Sequence, residues 1–157
     1  MVFDNREIVT KLNVRRYIVL LVYLTSMGLL ILSGVFKDFI LGVNKSIFII
    51  VITLLYIVYI IYAYLLNYNY FSYNDEGNKL IFRFVSLRPF DNKKQAIEIH
   101  KKDFKGYKFQ KSLLNLREDL ILKVSTKKGV ASYPPISVTA LSAKHRNMLV
   151  NSLNQFF

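Results

Sequence analysis

Tyr17-Ile18-Val19-Leu20-Leu21-Val22-Tyr23-Leu24-Thr25-Ser26-Met27-Gly28-Leu29-Leu30-Ile31-Leu32-Ser33-Gly34-Val35-Phe36 carries no charge over its 20 residues, and a second uncharged run, Ile47–Leu66, follows closely. At 1.5 Å per residue, a helix of this length matches a hydrocarbon core of roughly 30 Å. Twelve residues of the first run and fourteen of the second are Leu, Ile, Val or Phe. At about −0.3 to −0.6 kcal/mol each, these favour insertion by roughly 4–8 kcal/mol per helix. A core helix this apolar needs a large protein around it, and only 91 residues follow Leu66. The runs predict a transmembrane helical hairpin over residues 17–66, preceded by a segment 1–16 and followed by one small domain, 67–157.

The first run is longer than the apolar region of a signal peptide, about 7–15 residues, and is expected to be retained. Arg6, Lys11, Arg15 and Arg16 precede it. The connection 37–46 holds only Lys37 and Lys45, with Asp38 offsetting one of them. Behind the second run come sixteen Lys or Arg against seven Asp or Glu. This bias predicts both termini in the cytoplasm. Usage rich in Tyr, Phe, Ile, Asn and Lys accompanies AT-rich bacterial genomes, so the bacterial inner membrane is the expected location.

Ser26, Gly28 and Ser33 are small residues that let helix backbones approach, and they are candidates for helix packing. Tyr56 and Tyr59 lie deep enough that each phenol needs a partner within the hairpin or on another membrane protein. No Asp, Glu, Lys, Arg or His interrupts either run, which argues against an ion path or proton relay. The chain has no cysteine, which excludes disulfides, thiolate zinc sites and cysteine nucleophiles.

From Tyr68 the period falls to two. Tyr68–Asn74, Lys79–Val85, Gln95–His100, Gly106–Ser112, Asp119–Thr126 and Val130–Tyr133 read as six strands, with turns at Asp75-Glu76-Gly77-Asn78 and Lys127-Lys128-Gly129. Ser142 then reads as the cap of a helix whose apolar stripe is Leu141, His145, Leu149 and Leu153, widened by Met148 and Phe156. The expected fold class is α+β: a membrane hairpin, then a bent antiparallel sheet or partial barrel covered by a C-terminal helix.

This order resembles the bacterial pleckstrin-homology-like (PH-like) domains, particularly those attached to paired transmembrane helices. The resemblance rests on Tyr70-Phe71-Ser72-Tyr73-Asn74-Asp75-Glu76-Gly77, the Ile97–Tyr107 strand pair, the Thr126–Gly129 turn and the Leu141–Leu153 helix. It implies seven strands, so one is either missing or hidden in Ser112–Glu118. It also implies a scaffold or binding module and no enzyme. The acidic Asp75-Glu76 turn departs from the basic first hairpin of phosphoinositide-binding members and argues against inositol-phosphate recognition.

Lys93, Lys94, Lys101, Lys102, Lys105, Lys108 and Lys111 form the candidate contact for anionic lipid or a partner; each lysine near a charged leaflet contributes about 1 kcal/mol. Aromatics interleaved with them alternate inward, which argues against nucleic acid. His100 and His145 lack neighbours at metal-ligand spacing, and no phosphate loop, nucleophile elbow or zinc helix appears. No catalytic, cofactor or metal residues are therefore assigned. The reading is a non-enzymatic inner-membrane protein whose PH-like domain serves as a scaffold or accessory subunit. Its partners are membrane lipids and another membrane protein or complex, and self-association is compatible with this. The alternatives are a sensor of anionic lipid and an immunity or stress-protection membrane protein.

Overall fold

A computed structural model describes residues 1–32, 39–40, 43–88, 91, 93–127 and 129–156. In chain order they form β1 (Val2–Asp4), α1 (Arg6–Leu32), β2 (Phe39–Ile40), β3 (Val43–Asn44), α2 (Lys45–Leu65), β4 (Asn69–Asn74), β5 (Lys79–Ser86), β6 (Lys94–His100), a 3-10 turn (Lys101–Asp103), β7 (Phe104–Ser112), β8 (Arg117–Thr126), β9 (Gly129–Ser132), β10 (Ile136–Ser137) and α3 (Ala143–Leu153). The class is α+β, as expected. Two compact units result: Thr10–Ala63, and a second made of Met1–Val9 together with Tyr64–Phe157.

The first unit holds most of α1 and α2, two helices long and apolar enough to cross a membrane. Both begin before the apolar runs do. Arg6 N donates to Asp4 Oδ1 at 2.9 Å and Val9 N to Asn5 O at 3.0 Å, so α1 is wound from Arg6 and not from Tyr17. Ser46 N donates to Asn44 Oδ1 at 2.9 Å, an N-terminal cap for α2. Beyond Leu65, Asn67 takes φ +46°, the left-handed turn that ends many helices and that asparagine tolerates. Residues 33–38, which include Ser33 and the end of the expected first span, lie outside the described residues.

In the second unit, one sheet runs β1-β4-β5-β6 and another β10-β8-β7, with β9 also on β8; all pairings are antiparallel. The period of two sorts the side chains. Phe71 and Tyr73 on β4, Leu80 and Phe82 on β5, Ile97 and Ile99 on β6, and Leu120 and Leu122 on β8 are all buried. With Phe3, Phe104, Ile136 and Val138 they form one core, closed by Leu149 and Leu153 of α3. Gly77 at φ +75° makes the β4–β5 turn, helped by Asn74 Oδ1 accepting from Glu76 N at 2.7 Å. Ser142 caps α3 as expected, its Oγ accepting from His145 N at 3.1 Å.

Two expectations are corrected. Segment 1–16 does not stand apart: Val2–Asp4 pairs with Ser72–Asn74 and sends Phe3 into the core, because β4 otherwise leaves an open edge. Ser112–Glu118 hides no further strand; its middle is a turn closed by Leu116 N donating to Leu113 O at 3.1 Å. In the β unit the additional strands are β1 and β10, the latter resuming on β8 at Leu120 and Asp119 after Pro134-Pro135 interrupts pairing.

Candidate functional site

Residues 10–63 leave and rejoin the β unit beside two buried asparagines. Asn5 is 1% exposed. Its Nδ2 donates to Asn69 O at 2.9 Å and Ala140 O at 3.1 Å, while its Oδ1 accepts from Phe71 N at 2.8 Å. Asn69 Nδ2 in turn donates to Ser137 O at 3.4 Å. These bonds tie β1, β4, β10 and the approach to α3 together at one end of the unit. Close by, the Arg88 guanidinium lies 4.4 Å from the centre of the Tyr64 ring. A polar cleft of about 150 Å³ opens there, lined by Asn67, Asn69, Ser86, Arg88, Asp91, Lys93 and Gln95 among others. Asn69 and Arg88 are among its lining residues, and Asn69 Oδ1 and Arg88 Nε are buried without hydrogen-bond partners.

The other end is locked by a second set of polar groups. Tyr73 OH and Ser152 Oγ lie 2.8 Å apart, Ser152 Oγ donates to Asp75 Oδ2 at 2.5 Å, and the Met1 amine pairs with Asp75 Oδ1. Burial pushes the Tyr73 phenol from 10.0 up to about 12; its bond to Ser152 opposes the rise and the Asp75 charge adds to it. Burial also pushes the Asp75 carboxyl up, but hydrogen bonds from the Met1 amine and Ser152, with the charges of that amine and Lys101, outweigh it. The carboxyl therefore sits below its ordinary range. A wider cleft of about 500 Å³, lined by Met1, Asp75, Lys101, Met148, Ser152 and Phe156 among others, lies over this set. Serine, carboxylate and phenol are arranged here as a clasp between α3 and the β4–β5 turn.

The seven lysines do not form one face. Lys93 and Lys94 stand exposed where β6 begins, near Asn69. Lys101, Lys102 and Lys105 lie past its far end, about 20 Å away at roughly 3.3 Å per strand residue. There Lys101 is half-buried, its Nζ 4.7 Å from the centre of the Phe156 ring. Strand β7 then runs back, so exposed Lys108 and Lys111 approach the first end again. The helix-packing candidates divide too. Tyr56 stacks on Tyr23 with ring centres 4.2 Å apart, and Tyr59 and Ser26 are half-buried. The Ser26 hydroxyl bonds back to Val22 O at 2.7 Å, within its own helix. Gly28 is not at a close approach: a side-chain carbon there meets nothing within 4 Å.

Two surfaces escaped the reading of the sequence. All four residues of β9, Gly129-Val130-Ala131-Ser132, are exposed, and among the described residues its only ladder is to β8. This edge has neither charge nor proline to discourage pairing. The β7–β8 turn is the other. Leu113, Leu114 and Asn115 take φ of +51°, +55° and +68°, a conformation that asparagine tolerates but that costs roughly 1–2 kcal/mol at each leucine. Leu113, Leu114 and Leu116 are 41%, 94% and 52% exposed. The available signal was three leucines in four residues between Lys111 and Arg117, a composition foreign to turns.

Among the described residues, no group of three or more His, Cys, Asp or Glu is placed to hold a metal ion. His145 stacks on Phe3 with ring centres 5.1 Å apart, a packing role. The chain matches no protein-family model, no curated protein and no solved structure.

Proposed function

We propose that this chain is a non-enzymatic integral protein of the bacterial inner membrane, with both termini cytoplasmic. In this reading its β unit is a PH-like domain acting as a protein-binding scaffold or accessory subunit of a membrane complex. Two apolar helices of spanning length, inserted between paired strands β1 and β4, support the anchoring. Two antiparallel sheets closed by α3 support the likeness in architecture. The buried polar groups Asn5, Tyr73 and Ser152 are engaged in holding elements together, which favours binding over chemistry.

The observation that carries the scaffold reading is β9. Its open edge offers backbone donors and acceptors to an added strand, a recurrent mode of peptide recognition. The test places a photo-crosslinker at Ala131→Cys, with the exposed Lys144→Cys on α3 as control, in native membranes. A discrete adduct from position 131 alone is expected. Equal, diffuse labelling at both positions removes the basis of the reading. Contact with anionic lipid is the second reading, favoured by the exposed leucine turn.

A further inference from the structure

We propose that the β7–β8 turn, Leu113–Leu116, inserts into the interface of an anionic phospholipid bilayer. Unfavourable conformation and unfavourable hydration coincide on these residues: Leu114 is 94% exposed and also sits at φ +55°. Residues that tolerate both, Gly, Asn and Asp, are the usual choice for such a turn. Since the chain itself does not cover Leu114, what offsets its exposure lies outside the chain. An acyl boundary does so for leucine, and three exposed leucines in one turn form a wedge of the kind that enters it.

Charge and position identify the occupant. Lys108 and Lys111 are exposed on the strand leading into the turn. The acidic residues nearest in the chain are already matched, Glu118 by Arg146 and Asp119 by Arg117. The surround of the leucines is therefore cationic, which complements an anionic leaflet. The turn also belongs to the end of the β unit from which the chain departs. Asp119 pairs with Ser137, whose carbonyl accepts from Asn69, five residues after Tyr64. The inference rests on the reading of α1 and α2 as membrane spans.

The test uses the full chain, whose lack of cysteine permits single-site labelling. Leu114→Cys, Val130→Cys and Leu55→Cys are each labelled with an environment-sensitive fluorophore and reconstituted in nanodiscs of phosphatidylglycerol and phosphatidylcholine, with brominated acyl chains as quencher. The Leu114 probe is expected to shift to the blue and lose most of its emission, approaching the Leu55 probe on α2. The Val130 probe, about 30 Å along the β8 direction at roughly 3.3 Å per residue, is expected to keep its emission. Omitting phosphatidylglycerol, or combining Lys108→Gln with Lys111→Gln, is expected to lower quenching at Leu114 several-fold. A Leu114 probe as unquenched as Val130, with Leu55 quenched, overturns the insertion and leaves the spans standing. Loss of quenching at all three positions overturns both. A blue shift without bromine quenching overturns insertion in favour of packing against a second copy of this chain, and quenching indifferent to phosphatidylglycerol overturns the anionic preference.

Discussion

Asn5 and Phe71 bond to each other twice, Asn5 N to Phe71 O at 3.1 Å and Phe71 N to Asn5 Oδ1 at 2.8 Å, although they are 66 positions apart with both apolar helices between them. The backbone bond continues the β1–β4 ladder, and the side-chain bond caps it. Because Asn5 also serves Asn69 O and Ala140 O, one amide side chain satisfies three backbone groups where water is excluded. Asn5→Ala leaves these groups unpaired. At about 1–3 kcal/mol for each unsatisfied buried group, with partial relaxation, the expected loss is roughly 2–5 kcal/mol. Amide exchange of β4 in the full chain, in micelles, reads this directly. Protection at Phe71 that falls by less than tenfold would show that water replaces the side chain.

The β unit is assembled from both sides of the helical insertion, so residues 68–157 alone are expected not to reach a native core. Such a chain lacks β1 and the Phe3 ring, which packs on Tyr73 at 5.6 Å between centres. A permuted chain, 64–157 followed by a short Gly-Ser linker and 1–9, restores both. Met1 and Phe156 line one cleft, which makes the linker short. Dispersed amide spectra are expected from the permuted chain and collapsed ones from 68–157. Equal dispersion from both would show β1 to be dispensable.

The leucine turn carries a stability cost that a glycine removes. Leu114→Gly relieves the left-handed conformation and exposes less apolar surface, and is expected to stabilise the β unit by about 1 kcal/mol. Urea unfolding of the permuted chain measures the change. Destabilisation would mean that Leu114 is packed in solution.

Tyr73 links stability to alkaline pH. Its folded pKa of about 12 lies above the ordinary 10.0, so its contribution is complete below pH 10 and is lost as pH rises towards 12. A shift of that size corresponds to about 2–3 kcal/mol. Tyr73→Phe is expected to flatten the decline over this window, at the expense of leaving Ser152 with only Asp75 as partner. Asp75 acts oppositely. Its lowered pKa contributes stability above the ordinary carboxylate range, lost as pH falls through the folded value. Melting temperatures of the full chain in micelles, which keeps the Met1 amine on Asp75, and of its Tyr73→Phe form across both windows check the signs. An identical alkaline decline in the two forms would assign the loss to another group.

Two kinds of order were legible in the residues alone. The apolar runs, six alternating strands and the Leu149–Leu153 stripe announce themselves because each depends on a period repeated within one segment. Gly77 and Ser142 announce their turn and cap because the chemistry is local. Tertiary structure decided the rest. A three-residue strand such as Val2–Asp4, or a two-residue one such as Ile136–Ser137, is too short to show a period and exists only because another strand presents its edge. Seven lysines within nineteen residues of sequence are parted because β6 carries the chain across the unit and β7 carries it back. Asn5 reads like any polar residue before a helix; burial beside Phe71 and Ala140 makes it a junction. In each case the deciding interaction is with a segment distant in the chain, and its free energy exists only once the strands have met.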